Sequence, residues 1–379
     1  MTKPAKVLII GGGIGGLTAA IALQRKGIHA VVVEKNPEWS VYGVGIIQPS
    51  NALRALHSIG LGEACVAQGR GFLGWQFCDG QGNKMAEVPS TNVAGPGFPP
   101  INGITRTALH KILTEKTIAQ GTEVRLGIEA SSWQESARGI SVGFSDGSSG
   151  DFDLVIGADG AHSKTRSMLF GDAIKPQFTG QCVWRYNFER PRDLDWGAIF
   201  YGKTSKAGLV PMTDALMYMF LVTAEPGNPR MAADQLHTLL KERMSGYGGI
   251  IARLREQVTQ ASAVVYRPME VLLVPEPWHK GRVLLIGDAA HTGTPHLAEG
   301  AAMAVEDAVL LADLLAGSSD LQATLTHFTQ RRMPRAKLVY DVGLQLGEWE
   351  MAEFAGKHDP NANMGALFGA TYAQLEQPI

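Results

Sequence analysis

The stretch Val7-Leu8-Ile9-Ile10-Gly11-Gly12-Gly13-Ile14-Gly15-Gly16, followed by an Ala- and Leu-rich run to about Lys26 and then by Ala30-Val31-Val32-Val33-Glu34, decides the fold. Four apolar residues running into glycine read as a short buried strand, the Ala/Leu-rich run as a helix, and 30–34 as a second strand. That order is a βαβ unit and implies a parallel sheet. The spacing Gly11-x-Gly13-x-x-Gly16 has a physical logic at a strand-to-helix turn. Gly11 permits the tight turn, Gly13 lets a pyrophosphate approach the backbone, and Gly16 allows close helix packing, while the helix N-terminus stabilises phosphate charge. Glu34 follows Gly16 by 18 residues, where a carboxylate accepts hydrogen bonds from a ribose diol. A glycine-rich packing turn is the alternative reading.

The rest of the composition suits a large globular chain. Its 379 residues are 45% hydrophobic and 18% charged, enough to bury a sizeable core and unlike a disordered chain. Thirty-six acids against 34 bases give a formal net charge of -2, which makes no electrostatic case for nucleic acid or an anionic membrane. Glycine, at 45 residues, is well above ordinary usage of about 7% and points to tight turns and close approach of backbone to a ligand. Cys65, Cys78 and Cys182 are odd in number with no CxxC pair, which argues against a disulfide framework or a zinc site and for a cytoplasmic protein. The segment 7–23 superficially resembles a signal peptide. Its five glycines between 11 and 16 would break a targeting helix, and Gln24-Arg25-Lys26 stands where a small-residue cleavage site belongs. No other run approaches about 18 apolar residues, so a soluble protein with no membrane partner is expected.

Further along, helices are expected over about 51–61 and 106–119, irregular strands over 70–100, and strands at 123–128, 140–144 and 153–156. Between about 180 and 270 the pattern changes to alternation, so 183–188 and 216–222 predict an antiparallel sheet, interrupted by one helix at about 233–244. A buried-type strand at 283–286, a long helix over about 300–315 and further helices complete the chain.

Two more motifs place an aspartate just after an apolar strand. One is Asp153-Leu154-Val155-Ile156-Gly157-Ala158-Asp159-Gly160; the other is Val283-Leu284-Leu285-Ile286-Gly287-Asp288, followed by His291, Thr294-Pro295-His296 and Gly300. The acids then lie at the carboxyl edge of the sheet, where ligands bind in open α/β folds. Singly, each is a capping or turn aspartate. Together with the first motif they point to one extended dinucleotide across that edge.

In this order and spacing the three motifs resemble those of the single-component (class A) flavoprotein aromatic hydroxylases, typified by para-hydroxybenzoate and salicylate hydroxylases, over roughly residues 5–315. The resemblance implies an α/β fold with a discontinuous Rossmann-type FAD-binding domain (1–70, 101–178 and 270–318). Into it a β-rich substrate domain (71–100 and 179–269) is inserted, and a C-terminal helical segment (319–379) follows. It implies FAD as cofactor, NADH or NADPH as co-substrate, O2 as oxidant, and hydroxylation of a small phenolic or N-heteroaromatic ring through a C4a-hydroperoxyflavin. Carried over by position, Gly11, Gly13, Gly16 and Glu34 hold the ADP half, with Ile14, Gly15 and Lys35 beside them. Arg106 contacts the ribityl-pyrophosphate region, Asp159 and Gly160 serve a fingerprint shared with nicotinamide binding, and Gly287 and Asp288 meet the ribityl chain. Pro295 to Gly300 and Ala301 pass beside the isoalloxazine ring, and a helix starting near Gly300 points its positive end at the edge where a reduced flavin gathers negative charge. Gly43-Val44-Gly45-Ile46 is either a loop near the ring or an ordinary surface turn. Glu299 stands where many relatives have glutamine, and a carboxylate there is unfavourable unless turned away or paired.

On the substrate side, Arg185 is either a counter-charge for a substrate carboxylate or phenolate or a structural arginine, and Tyr218 either a phenol partner or a core tyrosine. His296 is a candidate for touching substrate, while His291 reads as fixing its loop. There is no second GxGxxG, which argues against flavoproteins with a separate nicotinamide domain, and no Trp-x-Trp-x-Ile-Pro halogenase signature. The rival readings are a flavin oxidase or dehydrogenase on the same site, an oxygenase of a larger polyketide or alkaloid scaffold, and a flavin-binding redox sensor without turnover. A monomer or homodimer is expected.

Overall fold

The strand Lys6–Ile10 is apolar on both faces because it lies inside a six-stranded sheet covered on both sides. The sheet runs His279–Lys280, Val283–Leu285, Leu154–Gly157, Lys6–Ile10, His29–Glu34, Glu123–Leu126, and every neighbouring pair is parallel except the first. In this computed structural model, residues 4–39 and 43–379 are described. The three expected motifs thus end three adjacent strands, and Gly11, Asp159 and Asp288 follow the carboxyl ends of neighbours in one sheet. The helices Ile14–Arg25 and Gly300–Gly317 pack together on one face, with Leu17, Ala20, Ile21, Met303 and Leu311 in a single core. A three-stranded antiparallel meander, Ala130–Glu135, Ile140–Phe144 and Ser149–Phe152, packs Val142, Phe144 and Phe152 into that core.

The second sheet has eight strands, in the order His291–Thr292, Val265–Leu273, Gln177–Glu189, Leu216–Ala224, Ser205–Pro211, Gly197–Tyr201, Gly74–Asp79, Lys84–Pro89. Residues directly opposite one another across a ladder share a face. Arg185 opposes Phe220 and Val265, and Tyr218 opposes Asn187 and Val210, so these side chains lie on one face. The other face carries Trp184, Tyr186, Leu209, Met217, Met219 and Leu221, packed against Leu240, Met244, Ile251 and Leu254 of two helices. The alternation expected for 183–188 and 216–222 is therefore an in/out pattern between a helix-covered face and one turned toward a small sheet that carries Gly45, Phe72 and Ile101.

Several elements differ from the sequence reading. The helix expected over 51–61 is Ser50–Ser58, ended by Gly60 at φ +77°, and a separate helix Gly62–Gln68 follows. The single helix expected within the inserted sheet is two, Leu236–Arg243 preceded by a 3-10 turn and Gly249–Gln257, because Gly248 and Gly249 break the run. The 70–100 segment divides: Arg70–Phe72 joins a small sheet in which Ile101–Thr105 pairs with it on one side and with Gly45–Pro49 on the other, whereas Gly74–Asp79 and Lys84–Pro89 form the outer edge of the large one. The strand Val265–Leu273 runs through the expected domain boundary at 270, and His291–Thr292, from the flavin-side segment, pairs with it.

C-terminal to these, one helix runs through Leu321–Phe354 and another through Met364–Leu375. Pro334 lies inside the first without ending it. Pro334 and Gln330, whose carbonyl the missing N–H leaves free, are both exposed, so water can satisfy that group.

The small sheet meets the eight-stranded one at Gly103, where an added Cβ would overlap the carbonyl oxygen of Pro211. Gly103→Ala is therefore expected to force two backbones apart and cost about 3 kcal/mol or more. Gly369→Ala, in an exposed helix with open space around it, is expected to be neutral or slightly stabilising. Thermal unfolding of the two variants beside the wild type checks the pair.

Candidate functional site

The glycines of the first motif divide the work as their spacing implies. Gly11 adopts φ +113°, donates its N–H to Val33 O at 2.8 Å, and leaves no room for a side chain against the Ala158 carbonyl. A Cβ on Gly16 would overlap the Gly11 carbonyl. Gly13, the N-cap of the helix Ile14–Arg25, has nothing within 4 Å of where its Cβ would be, and no side chain caps that helix. Its first-turn N–H groups, those of Ile14, Gly15 and Gly16, open on the space beside Gly13, which suits a phosphate. The half-buried Glu34 carboxylate accepts from Gly12 N at 2.9 Å and Asn36 N at 3.0 Å, one bond per oxygen, with lone pairs left for a ribose diol. Lys35 is exposed.

Sequence reading missed what fixes this turn. His110 Nε2–H donates to Gly12 O at 3.0 Å, and the Trp39 indole meets the His110 ring edge-on at 5.1 Å while covering Gly12. Nothing in the spacing marks His110, which reads as one more residue on a helix face.

Arg106 and Asp288 lie within electrostatic reach of one another. Arg106 opens the helix Arg106–Ala119, which Thr105 caps by accepting from Ala108 N, and its stem lies over Gly43, whose φ of +114° and missing Cβ make the space. Asp288 is exposed, follows Gly287 at φ +57°, and lies within electrostatic reach of Arg106 and His291. Neither side chain has a hydrogen-bond or ion-pair partner among the described residues, which leaves one cation and one anion facing the same opening. Asp159 differs. Its carboxylate accepts from Ser163 Oγ at 2.5 Å and from Thr165 N and Oγ1 at 2.9 Å, so it organises the start of the helix Lys164–Phe170, and the adjacent Gly160 (φ +83°) has open space around it.

The stretch expected beside the flavin ring begins with a one-turn helix Pro295–Leu297, passes through Ala298 at φ +56°, and enters the helix Gly300–Gly317. Pro295 and Gly300 are exposed, Ala301 is half-buried, and a Cβ on Gly300 would touch nothing. His296 turns away from this opening. Its side chain is 1% exposed, with Nδ1 2.7 Å from Thr294 Oγ1 and Nε2 2.9 Å from Glu350 Oε2. Both ring nitrogens are engaged, so His296 ties the loop to the long helix instead of reaching into the cleft. Glu350 also pairs with buried Lys206 and accepts from Gln181 Nε2 at 3.2 Å. Burial raises the Glu350 carboxyl, but Lys206 and His296 more than offset that and hold it at about 2. Gly343 and Gly347 supply the room, since Thr294 leans on one and Gln181 with His296 on the other.

Beneath the helix Gly300–Gly317 lies a buried ionic cluster that sequence reading also missed. Arg332 donates to Asp307 at 2.6 Å and to Glu306 at 3.0 Å, and Arg335 takes both oxygens of Glu306 at 2.8 and 2.7 Å. Asp307 accepts from Gly287 N at 2.8 Å and pairs with His291 at 2.7 Å, so the histidine read as fixing its loop does so through this aspartate.

Across the cleft, Gly45 opens the buried strand Gly45–Pro49, so the glycine pair at 43–45 is no surface turn. A Cβ there would run into the Tyr218 ring and the Met212 sulfur. Tyr218 is buried, and its hydroxyl has no partner among the described residues; burial pushes it up to about 12. Arg185 is half-buried in the same face with no ion pair or hydrogen bond among the described residues, and burial, with Arg106 and Arg267 near, lowers it to about 10.

Residues 4–342 match the family model described as FAD binding domain. The protein belongs to the single-component FAD-dependent aromatic hydroxylase family. This enzyme is therefore an FAD-dependent monooxygenase of aromatic substrates. It is 32% identical over 373 residues to YetM of Bacillus subtilis, covering 98% of this chain and 99% of that one. It is 29% identical to the FAD-dependent urate hydroxylase of Klebsiella oxytoca, covering 88% and 87%. Among solved structures, Klebsiella pneumoniae HpxO complexed with FAD and uric acid superposes with a TM-score of 0.80 at 26% identity, over 98% of this chain and 92% of that chain. Among the described residues no helix is long and apolar enough to cross a membrane.

Two expectations follow. Gly13 has ordinary backbone angles (φ -82°) and empty space, so Gly13→Ala leaves the stability of the flavin-free protein within about 0.5 kcal/mol of wild type. It weakens FAD binding, measured by fluorescence titration, at least about tenfold. Glu350→Gln strands Lys206 in the interior and costs about 3–5 kcal/mol near neutral pH. The Glu350 carboxyl is depressed on folding, so its contribution is complete above the unfolded value of about 4.3 and is lost as pH falls toward 2. The gap between wild type and variant therefore closes through that window in pH-dependent unfolding.

Proposed function

We propose that this monooxygenase couples the oxidation of NADH or NADPH to hydroxylation, by O2, of a small phenolic or N-heteroaromatic ring bearing an acidic O–H or N–H. Arg185 carries the reading. It is a cation on an enclosed sheet face with no carboxylate beside it, while Arg106 and Arg267 add positive potential. A half-buried guanidinium left without a partner still bears a desolvation cost, and an anionic ring that enters the cleft offsets it. The urate named for the Klebsiella oxytoca relative supports the same ring class.

Bound FAD supplies the electron transfer from the nicotinamide and the activation of O2. The chain's residues do the rest. Arg185 would favour the deprotonated, electron-rich form of the ring and fix its orientation. Tyr218, kept protonated, would donate to a ring oxygen. Val210, Met212 and Phe220 on the same face would exclude water. Gly11, Gly13, Ile14, Gly15, Gly16 and Glu34 would hold the ADP half of FAD, Arg106 and Asp288 its middle, and Pro295, Gly300 and Ala301 would lie along the ring.

NADH and NADPH oxidation by FAD-loaded enzyme across phenols, hydroxybenzoates, hydroxypyridines and purinones, with hydrogen peroxide assayed in parallel, tests this. Substrate-stimulated oxidation with little peroxide and a hydroxylated product is expected. Stoichiometric peroxide with every compound would favour an oxidase. Arg185→Gln is expected to lower kcat/KM for the acidic ring about 10- to 100-fold, mostly through KM, since a hydrogen bond to a charged group is worth about 1.5–3 kcal/mol.

A further inference from the structure

Three carboxyl groups meet beneath the first turns of the helix Gly300–Gly317, and the two arginines there serve only two of them. Arg332 and Arg335 saturate Glu306, and Arg332 with His291 and Gly287 N saturates Asp307. Glu299 receives one hydrogen bond, from Asn51 Nδ2 at 2.9 Å, and that nitrogen is shared with Glu306 at 3.1 Å. Its Oε1 has no partner among the described residues, and the side chain is fully buried. Ionised, Glu299 would be an uncompensated charge in the interior beside a second carboxylate; carrying a proton, it removes both penalties.

The groups facing it from every packed element support this. The helix Ser50–Ser58 offers the neutral Asn51, and its Arg54 is turned to the carbonyls of Glu376 and Gln377. The long helix offers Arg332 and Arg335, both held by Glu306. The C-terminal helix offers Tyr372, whose hydroxyl donates to Leu297 O at 2.9 Å. Burial first, and Glu306 next, push the Glu299 carboxyl up to about 8.

We propose that Glu299 is a positioning residue for the reduction step, a proton-holding carboxyl at the head of the Gly300–Gly317 helix that sets the potential of the bound flavin. Glu299 is the N-cap residue of that helix. A helix N-terminus carries a positive partial charge of about half an elementary charge. While Glu299 is neutral, that charge is available to the negative charge that reduction brings to the flavin edge beside Gly300. Once Glu299 ionises, its own charge consumes it. By linkage, reduction raises the proton affinity of Glu299, so from about pH 8 up to that raised value a two-electron reduction takes up as much as one more proton than it would without this carboxyl. The inference rests on the reading that lays the ring along Pro295 to Gly300.

Two measurements test it. In flavin-free protein, infrared difference spectra of wild type against Glu299→Gln at neutral pH should show the C=O stretch of a protonated carboxyl only in wild type, and titration of wild type alone should remove that band around pH 8. In FAD-loaded protein, the two-electron potential should fall more steeply with pH above about 8 in wild type than in Glu299→Gln, and the two lines should merge below about pH 7. Identical infrared spectra, a band that survives well above pH 8, or superimposable potential–pH lines would each overturn the proposal. Neither readout depends on turnover, so an aromatic panel that fails while the potential still responds to Glu299 overturns the substrate reading and leaves this one standing.

Discussion

Arg332 is 1% exposed and uses Nε on Asp307, Nη1 on Glu306 and Nη2 on the Met303 carbonyl, so that one side chain from the long helix grips successive turns of the helix at the flavin edge. Two adjacent acids on the core side of a helix are intolerable unless matched, and removing one partner of such a pair typically costs about 3–5 kcal/mol. The match reaches further than the two helices. Through Asp307 it fixes the N–H of Gly287 and the ring of His291, and thereby the loop that carries Asp288 into the cleft. Through Glu306 it engages Asn51, which leaves Glu299 as the remainder of the charge count. The position of the cofactor loops and the protonation state of the residue heading the helix are thus two outcomes of one electrostatic constraint.

A second buried pair performs a comparable service for the substrate sheet. Lys206 comes from the centre of that sheet, Glu350 from the long helix and His296 from the flavin-edge loop, so three elements distant in sequence converge on one carboxylate. The glycines at 343 and 347 are what let the backbone come close enough for those bonds. The long helix is therefore part of the architecture of the cleft.

Much of this could be read from residue order alone, and the parts that could not share a cause. Gly11, Gly13 and Gly16 were legible because their spacing at a strand-to-helix turn is itself the signal, and the parallel strands because their apolar runs are continuous. Asp288 was legible because it follows a strand at the parallel sheet's carboxyl edge, whereas Arg106 was legible only through the resemblance to the family. Asp159 and His296 show the limit. Their placement near the edge follows from the sequence, yet what their polar atoms bond to depends on Ser163 and Thr165 in one case and on Glu350, 54 residues away, in the other. Arg332, Arg335, Lys206, Glu350 and His110 left no trace in spacing, since a charge on a helix face reads as a solvated one until the partner element is known. The second helix at Gly249–Gln257 went unread because it is short and opens on the glycine pair 248–249.

The order in which these partners occur along the chain has a consequence for biosynthesis. Glu306 and Asp307 emerge from the ribosome before Arg332 and Arg335, although every strand of both large sheets has been made by then. Sheets can pair as they appear, since domains form in order of synthesis. The helix at the flavin edge, however, carries unneutralised acids until the long helix arrives to meet them. A nascent chain halted short of residue 332 would hold the dinucleotide motif without the ion pairs that fix the loop carrying Asp288.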